Sequence, residues 1–217
     1  MSEPPLISFV LPARNEERVL AETLASVHRA AAAVERSYEV IVVDDGSTDR
    51  TAEIATESGA RVISVEIHNI GGVRNAGARE ATGRFLVFLD ADTLLPGETL
   101  AAALRELEGS AVGGGAAVRF DAGITWFQGL LAAIFCFLWQ RVCGWAAGCF
   151  IFARKSDFDA VGGFDEQYFC AEERFLSAAL RSRGRFVILR EPVITSARKL
   201  RLYSLGQLLW IATRTLL

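Results

Sequence analysis

The 217-residue chain has no run of 18 or so apolar residues that would suggest a membrane span. Its opening, MSEPPLISFVLPARNEE, has no basic stretch followed by an apolar one of the kind that directs secretion. The expectation is a cytoplasmic chain, neither secreted nor conventionally membrane-spanning. Basic residues are not in excess: 23 Lys and Arg face 26 Asp and Glu, so no positive field would gather nucleic acid. Cys136, Cys143, Cys149 and Cys170 form no CxxC pair and have no zinc-ligand spacing, so they are read as reduced thiols. There are two histidines, His28 and His68, without a partner at ligand spacing; both are read as solvated or structural. No G-x-G-x-x-G and no P-loop follows the first strand, which removes the pyrophosphate cradle of a dinucleotide-dependent oxidoreductase. A nucleotidyltransferase would show a glycine-rich basic loop there, where this chain has Arg14 between two non-glycines.

What the chain does have is alternation. Apolar runs at 6–10, 38–44, 61–65 and 84–90 read as strands, and the helical patterns at 16–34, 48–58 and 72–81 lie between them. Repeated βα units imply an α/β fold with a mostly parallel sheet flanked by helices. With 51% hydrophobic residues and no repeat or Pro/Ser linker, the chain is expected to form one domain with a single core. Glycines 113–115 read as a flexible or closely packed strand start.

Charged residues gather where these strands should end. FLVFLDADTLLP places Asp90 and Asp92 after a buried strand, and in extended chain residues two apart point the same way. Two neighbouring anions repel unless a positive group sits between them, and the candidate is Mg²⁺ or Mn²⁺ shared with substrate phosphates. The competing reading is a solvated turn in which Thr93 caps a helix. VVDDGSTD adds Asp44 and Asp45 at the corresponding edge one unit earlier, with Gly46 for a tight turn and Ser47, Thr48 or Asp49 available as a helix cap. Arg74, Asn75 and Arg79 lie near a helix start, where an Arg fork suits phosphate oxygens or simply a solvated face. The segment at 162–176 carries Asp165, Glu166, Glu172 and Glu173, the last two opening a helix whose dipole would favour them in any case. Two Arg-rich clusters, Arg181, Arg183 and Arg185, then Arg198, Lys199 and Arg201, have the charge to meet phosphates.

In their order and spacing, PARNEE, VVDDGSTDRT, RNAGAREATG, FLDADT and GGFDE followed by AEE resemble the inverting, nucleotide-sugar-dependent glycosyltransferases of family 2, with the GT-A type fold. The resemblance covers roughly residues 6 to 190. It implies a nucleotide-binding half near 1–95 and an acceptor-binding half near 96–195. It also implies that Pro12 and Glu16 line a nucleoside pocket, that Asp45, with Asp44 nearby, contacts the base or ribose, and that Arg74 reaches toward the nucleotide. Asp90 and Asp92 would be the family's DxD, holding Mg²⁺ or Mn²⁺ on the diphosphate of a donor, a UDP- or GDP-sugar above all. Glu173 falls on the position of the general base, usually Asp, with Glu172 as the fallback; a second Asp often found two residues beyond is Phe175 here. Arg198 would approach the diphosphate.

Between 126 and 152 Arg141 is the one charged residue, so this stretch is either core or a surface that touches a bilayer. Leu205, Leu208, Leu209, Ala212 and Leu216 recur at helical spacing, which predicts an amphipathic helix over about 202–217. Together the two segments suggest a lipid-linked or membrane-associated acceptor and peripheral contact with the inner face of a membrane. The rival to a glycosyltransferase is a non-catalytic nucleotide-sugar or membrane-associated binding module of the same fold.

Overall fold

Strand and helix alternate as the apolar runs predict. β1 (Ile7–Ala13), β2 (Tyr38–Asp45), β3 (Arg61–Val65) and β4 (Phe85–Leu89) are separated by α1 (Leu20–Val34), α2 (Thr51–Glu57) and α3 (Ile70–Glu80). The computed structural model describes residues 4–121, 125–168 and 171–198, and joins these strands in the parallel order β3-β2-β1-β4. The amphipathic pattern at 202–217, together with Lys199, Arg201 and Cys170, lies outside the described residues.

The second half follows with β5 (Thr93–Leu94), α4 (Gly97–Glu108), β6 (Ala111–Phe120), α5 (Trp126–Phe137), β7 (Phe150–Arg154), α6 (Lys155–Ala160), α7 (Glu172–Arg183) and β8 (Arg185–Thr195). Its strands extend the sheet in the order β4-β7-β6-β8-β5. β7 runs antiparallel to both β4 and β6, while β6 and β8 are parallel. The antiparallel insertion puts the start of β7 beside the end of β4, so the loop entering β7 reaches the edge at which β4 ends. Thr93 is not a helix cap: it lies in β5, and its buried hydroxyl meets that of Thr195 at 2.8 Å.

Apolar side chains alternate between two buried faces, which explains why the strands read as continuous apolar runs. Phe9, Leu11, Val42, Phe85 and Val87 pack under α1 and α4, whereas Val10, Ile41, Val43, Leu86 and Phe88 meet α3, α6 and α7. Gly77 lets α3 lie close on the sheet, because a Cβ there would stand 2.8 Å from Val43 Cγ2. Gly113 and Gly115 mark close packing, since a Cβ on Gly113 would come 2.8 Å from the Phe152 carbonyl.

α1 and α2 begin later than their periodicity predicts, and the reason is polar. The loop after β1 and the loop after β2 are joined by hydrogen bonds that occupy the residues before each helix: Asn15 N to Ser47 Oγ, Glu16 N to Thr51 Oγ1, Glu17 N to Asp49 Oδ2 and Thr48 N to Asn15 Oδ1. Asp49 also closes a local turn into α2, accepting from Thr51 N at 3.0 Å, while the N-cap position itself is Arg50, without a side-chain cap.

α5 has a Thr125 capping box, continues as a π-helical turn over Leu138–Val142, and buries little. Trp126, Leu130, Ile134, Phe137 and Val142 are exposed at near-helical spacing, Trp126 by 80%. Among the described residues no helix is long and apolar enough to cross a membrane.

Candidate active site

The carboxyl ends of β1, β2, β3 and β4 and the loop entering β7 surround one cavity of about 570 Å³, lined among others by Pro12, Glu16, Asp45, Arg74, Asp90, Asp92, Glu172, Glu173 and Arg198. Residues scattered over most of the sequence therefore meet at one sheet edge, where open α/β folds bind ligands. Asp44 does not line it. One residue from Asp45 on a strand, it faces the other side, where it is buried with Oδ1 lacking a hydrogen-bond partner among the described residues.

Two arginines stand beside Asp90 and Asp92. Arg74 Nη2 donates to Asp90 Oδ1 at 2.8 Å and to the Gly148 carbonyl at 2.8 Å, while Nη1 meets Glu172 Oε1 at 2.5 Å. Arg74 is fully buried; burial works against its charge, but Asp90 and Glu172 outweigh it and its pKa is raised. Arg198, the last described residue, forms a two-pronged pair with Glu16 at 2.9 and 2.7 Å and stands 3.5 Å from Asp92. The hydrogen bonds to Glu16 raise the Arg198 pKa. This bridge links positions 182 residues apart.

Glu172 and Glu173 open α7, presented by Ala171 in the left-handed region at φ 63. A non-glycine residue held there stores backbone strain, which is common at functional sites. The two carboxyls have different surroundings. Glu172 is bound by Arg74, whereas Glu173 is pushed up to about 7, first by burial and then by the charge of Glu172. Phe175, where the family resemblance leads one to look for Asp, stacks on Tyr168 with ring centroids 3.7 Å apart.

Other residues singled out in the sequence do different work. Asn75 clips the 164–166 segment, accepting from Phe164 N at 2.9 Å and donating to Glu166 at 2.9 Å. Arg79 is exposed, 4.0 Å from Glu166. Asp165 accepts from Gln167 N in a local turn. Arg181 donates to the Gly144 carbonyl, Arg183 pairs with Asp157 and Arg185 with Glu106. His28 bridges Tyr38 and the Ser58 carbonyl, a structural histidine as read.

His68, expected from the sequence to be solvated or structural, lines the cavity, as does Cys149, expected as a reduced thiol, whose pKa burial holds well above the usual range. His68 follows β3 at the same sheet edge as the aspartates, and that position was the signal available for it.

Residues 8–162 match the family model described as glycosyl transferase family 2, and the chain belongs to that family. It is 32% identical over 161 residues to an undecaprenyl-phosphate 4-deoxy-4-formamido-L-arabinose transferase of Edwardsiella ictaluri, covering 69% of this chain and 49% of that one. It is 43% identical over 99 residues to a 4,4'-diaponeurosporenoate glycosyltransferase of Staphylococcus haemolyticus, covering 42% of this chain and 25% of that protein. The chain thus spans half the length or less of these curated relatives. In fold it is similar to S. aureus TarS 1-349 solved with UDP-GlcNAc, at a TM-score of 0.69 and 21% identity over 88% of this chain and 58% of that one. It is also similar to the Pyrobaculum calidifontis mannosyltransferase PcManGT solved with GDP-Man and Mn²⁺, at a TM-score of 0.70 and 20% identity over 90% and 57%.

Proposed function

We propose that the chain moves a sugar from a nucleoside-diphosphate sugar, a UDP- or GDP-sugar, to an acceptor hydroxyl with inversion. The observation that carries this reading is one cavity holding two carboxyl sets: Asp90 and Asp92 beside arginines, and Glu173, whose pKa burial raises to about 7. Family membership and structural neighbours solved with UDP-GlcNAc and with GDP-Man and Mn²⁺ support it.

Carboxylate oxygens are the donors that Mg²⁺ and Mn²⁺ favour, so Asp90 and Asp92 fit such an ion. Among the described residues no cluster of three or more acidic, His or Cys ligands completes a cage, so the ion would share its shell with the donor's phosphates. A bound ion would supply positive charge to the departing diphosphate. In this reading Pro12, Glu16 and Asp45 line the nucleoside end of the cavity, and Asp44, on the other face of β2, does not reach it. Arg198 leaves Glu16 for the diphosphate, and Arg74 fixes Asp90 and Glu172. Glu173 takes the proton of the acceptor hydroxyl as its oxygen attacks the anomeric carbon, and the bond from that carbon to the diphosphate oxygen breaks. Glu172 suits this role less, because its charge is already bound to Arg74.

Thermal unfolding with UDP, GDP, CDP and dTDP, each with and without Mn²⁺, tests the donor site. A nucleotide at a hundred times its Kd adds about 2.7 kcal/mol, a shift of several degrees. Asp92→Asn is expected to remove the Mn²⁺-dependent part of that shift; an unchanged shift would end the metal assignment. Hydrolysis of the matching sugar nucleotide separates an enzyme from the binding module.

The acceptor we propose is lipid-linked. Relatives named for undecaprenyl-phosphate support this, as does the uncharged, exposed face of α5, which leads through 143–149 into the cavity wall at Gly148. α5 would then lie on the inner face of a membrane. Co-sedimentation with anionic phospholipid vesicles is expected for the wild type and lost on changing Trp126, Leu130 and Ile134 to Gln. Equal sedimentation of both would remove α5 from the membrane contact.

A further inference from the structure

His68 is held more firmly than a surface histidine needs to be. Asp45 Oδ1 accepts from Ile67 N at 2.7 Å and from His68 N at 3.1 Å, and Oδ2 accepts from His68 N at 3.0 Å. These bonds pin His68 in the left-handed region at φ 57. The next residue, Asn69, is fixed in turn as the cap of α3, accepting from Gly72 N at 3.0 Å. The imidazole therefore projects between two anchored points, with its side chain half exposed and lining the cavity.

Arg14 Nη1 lies 3.0 Å from His68 Nδ1. Asp45 Oδ2 stands 3.5 Å from the same nitrogen, so the closer guanidinium, which has only donors, is its hydrogen-bond partner; the tautomer that makes this bond accepts at Nδ1 and carries its proton on Nε2. The result is a planar ring with a defined N–H donor. The sheet order puts β3 and β2 at one flank of the cavity, and β4 with the β7 loop that carries Gly148 at the other. A donor whose diphosphate lies at Asp90 and Asp92 would extend its nucleoside toward β2 and β3, under His68.

We propose that His68 reads the nucleobase: its ring packs on the base, and Nε2–H donates to a carbonyl oxygen on the base rim. Asp45 then acts through the 67–68 turn as a positioning residue. A rim carbonyl distinguishes uracil and guanine from bases that present an amino group at that place, so His68 would set preference as well as affinity. This inference rests on the donor site proposed above.

Isothermal titration of the full chain with UDP, GDP, CDP and Mn²⁺-pyrophosphate tests it, comparing wild type with His68→Asn and His68→Gly. Both replacements suit a left-handed backbone, so agreement between them separates the ring from the turn. The expected result is a three- to tenfold weaker Kd for the preferred nucleotide, on the order of one lost hydrogen bond. The gap between preferred and other nucleotides should narrow, and pyrophosphate binding should be unchanged. Unaltered nucleotide affinity and preference in both variants would overturn the assignment. So would equal weakening for every ligand including pyrophosphate, which would place the effect in the loop. Failure of the wild type to bind any of the nucleotides would instead overturn the donor site itself, and this inference with it.

Discussion

Replacing Glu173 by Gln is expected to cut donor-sugar hydrolysis by 10²- to 10⁴-fold, the usual contribution of a positioned base. Wild-type turnover should rise with pH through about 7 and level off above it, because only the ionised carboxyl can accept a proton and burial holds Glu173 there. The Gln variant should lack that limb. Stability should move the other way. A carboxyl raised from 4.5 to about 7 keeps its proton in the folded protein over a range in which the unfolded chain has lost it. Its contribution is fully present below about 4.5 and is lost as pH rises through about 7. The melting temperature of the Gln variant relative to wild type should therefore increase between pH 4 and pH 8. A variant with undiminished turnover and an intact acid limb would show that the base lies elsewhere.

The second large effect is on folding. Arg74 is the buried partner of both Asp90 and Glu172, whose side chains are 26% and 4% exposed. Arg74→Met would strand the Glu172 charge inside the protein, and breaking a buried pair in this way costs about 3–5 kcal/mol. For a domain of this size that corresponds to a fall in melting temperature of roughly 6–20 °C. Arg74→Lys keeps the charge but not the fork that reaches both carboxylates and the Gly148 carbonyl, so an intermediate loss is expected. A Met variant that melts within a degree or two of wild type would show that the carboxylates find relief without the guanidinium.

The βα alternation was legible because these strands are buried on both faces and the helices between them are amphipathic. The aspartates and glutamates were legible because they interrupt apolar runs at strand ends or open a helix. β7 was not: its apolar residues at 150–152 continue the apolar stretch of α5, and periodicity does not separate a short buried strand from a helix beside it. Nor could the sequence show whether α5 is core or surface, since a helix apolar all round gives no stripe to orient. Arg198 was legible as part of a basic cluster and, by resemblance, as a diphosphate contact, but its pairing with Glu16 was not, because that depends on β8 ending beside β1's loop. His68 read as solvated or structural for a related reason. A lone histidine carries no spacing signal, and its placement comes from Asp45, on a different strand.

The hydrogen bonds between the loop after β1 and the loop after β2 tie together two segments some thirty residues apart, and each supplies donors and acceptors to the other. Neither loop is thus an independent unit of exchange. A relative's version of one, grafted alone, would face partners shaped for another sequence, and both helix starts would lose their fit. Recombination across this family, natural or engineered, should preserve the two loops as a linked pair, inherited together even where the helix and strand between them diverge.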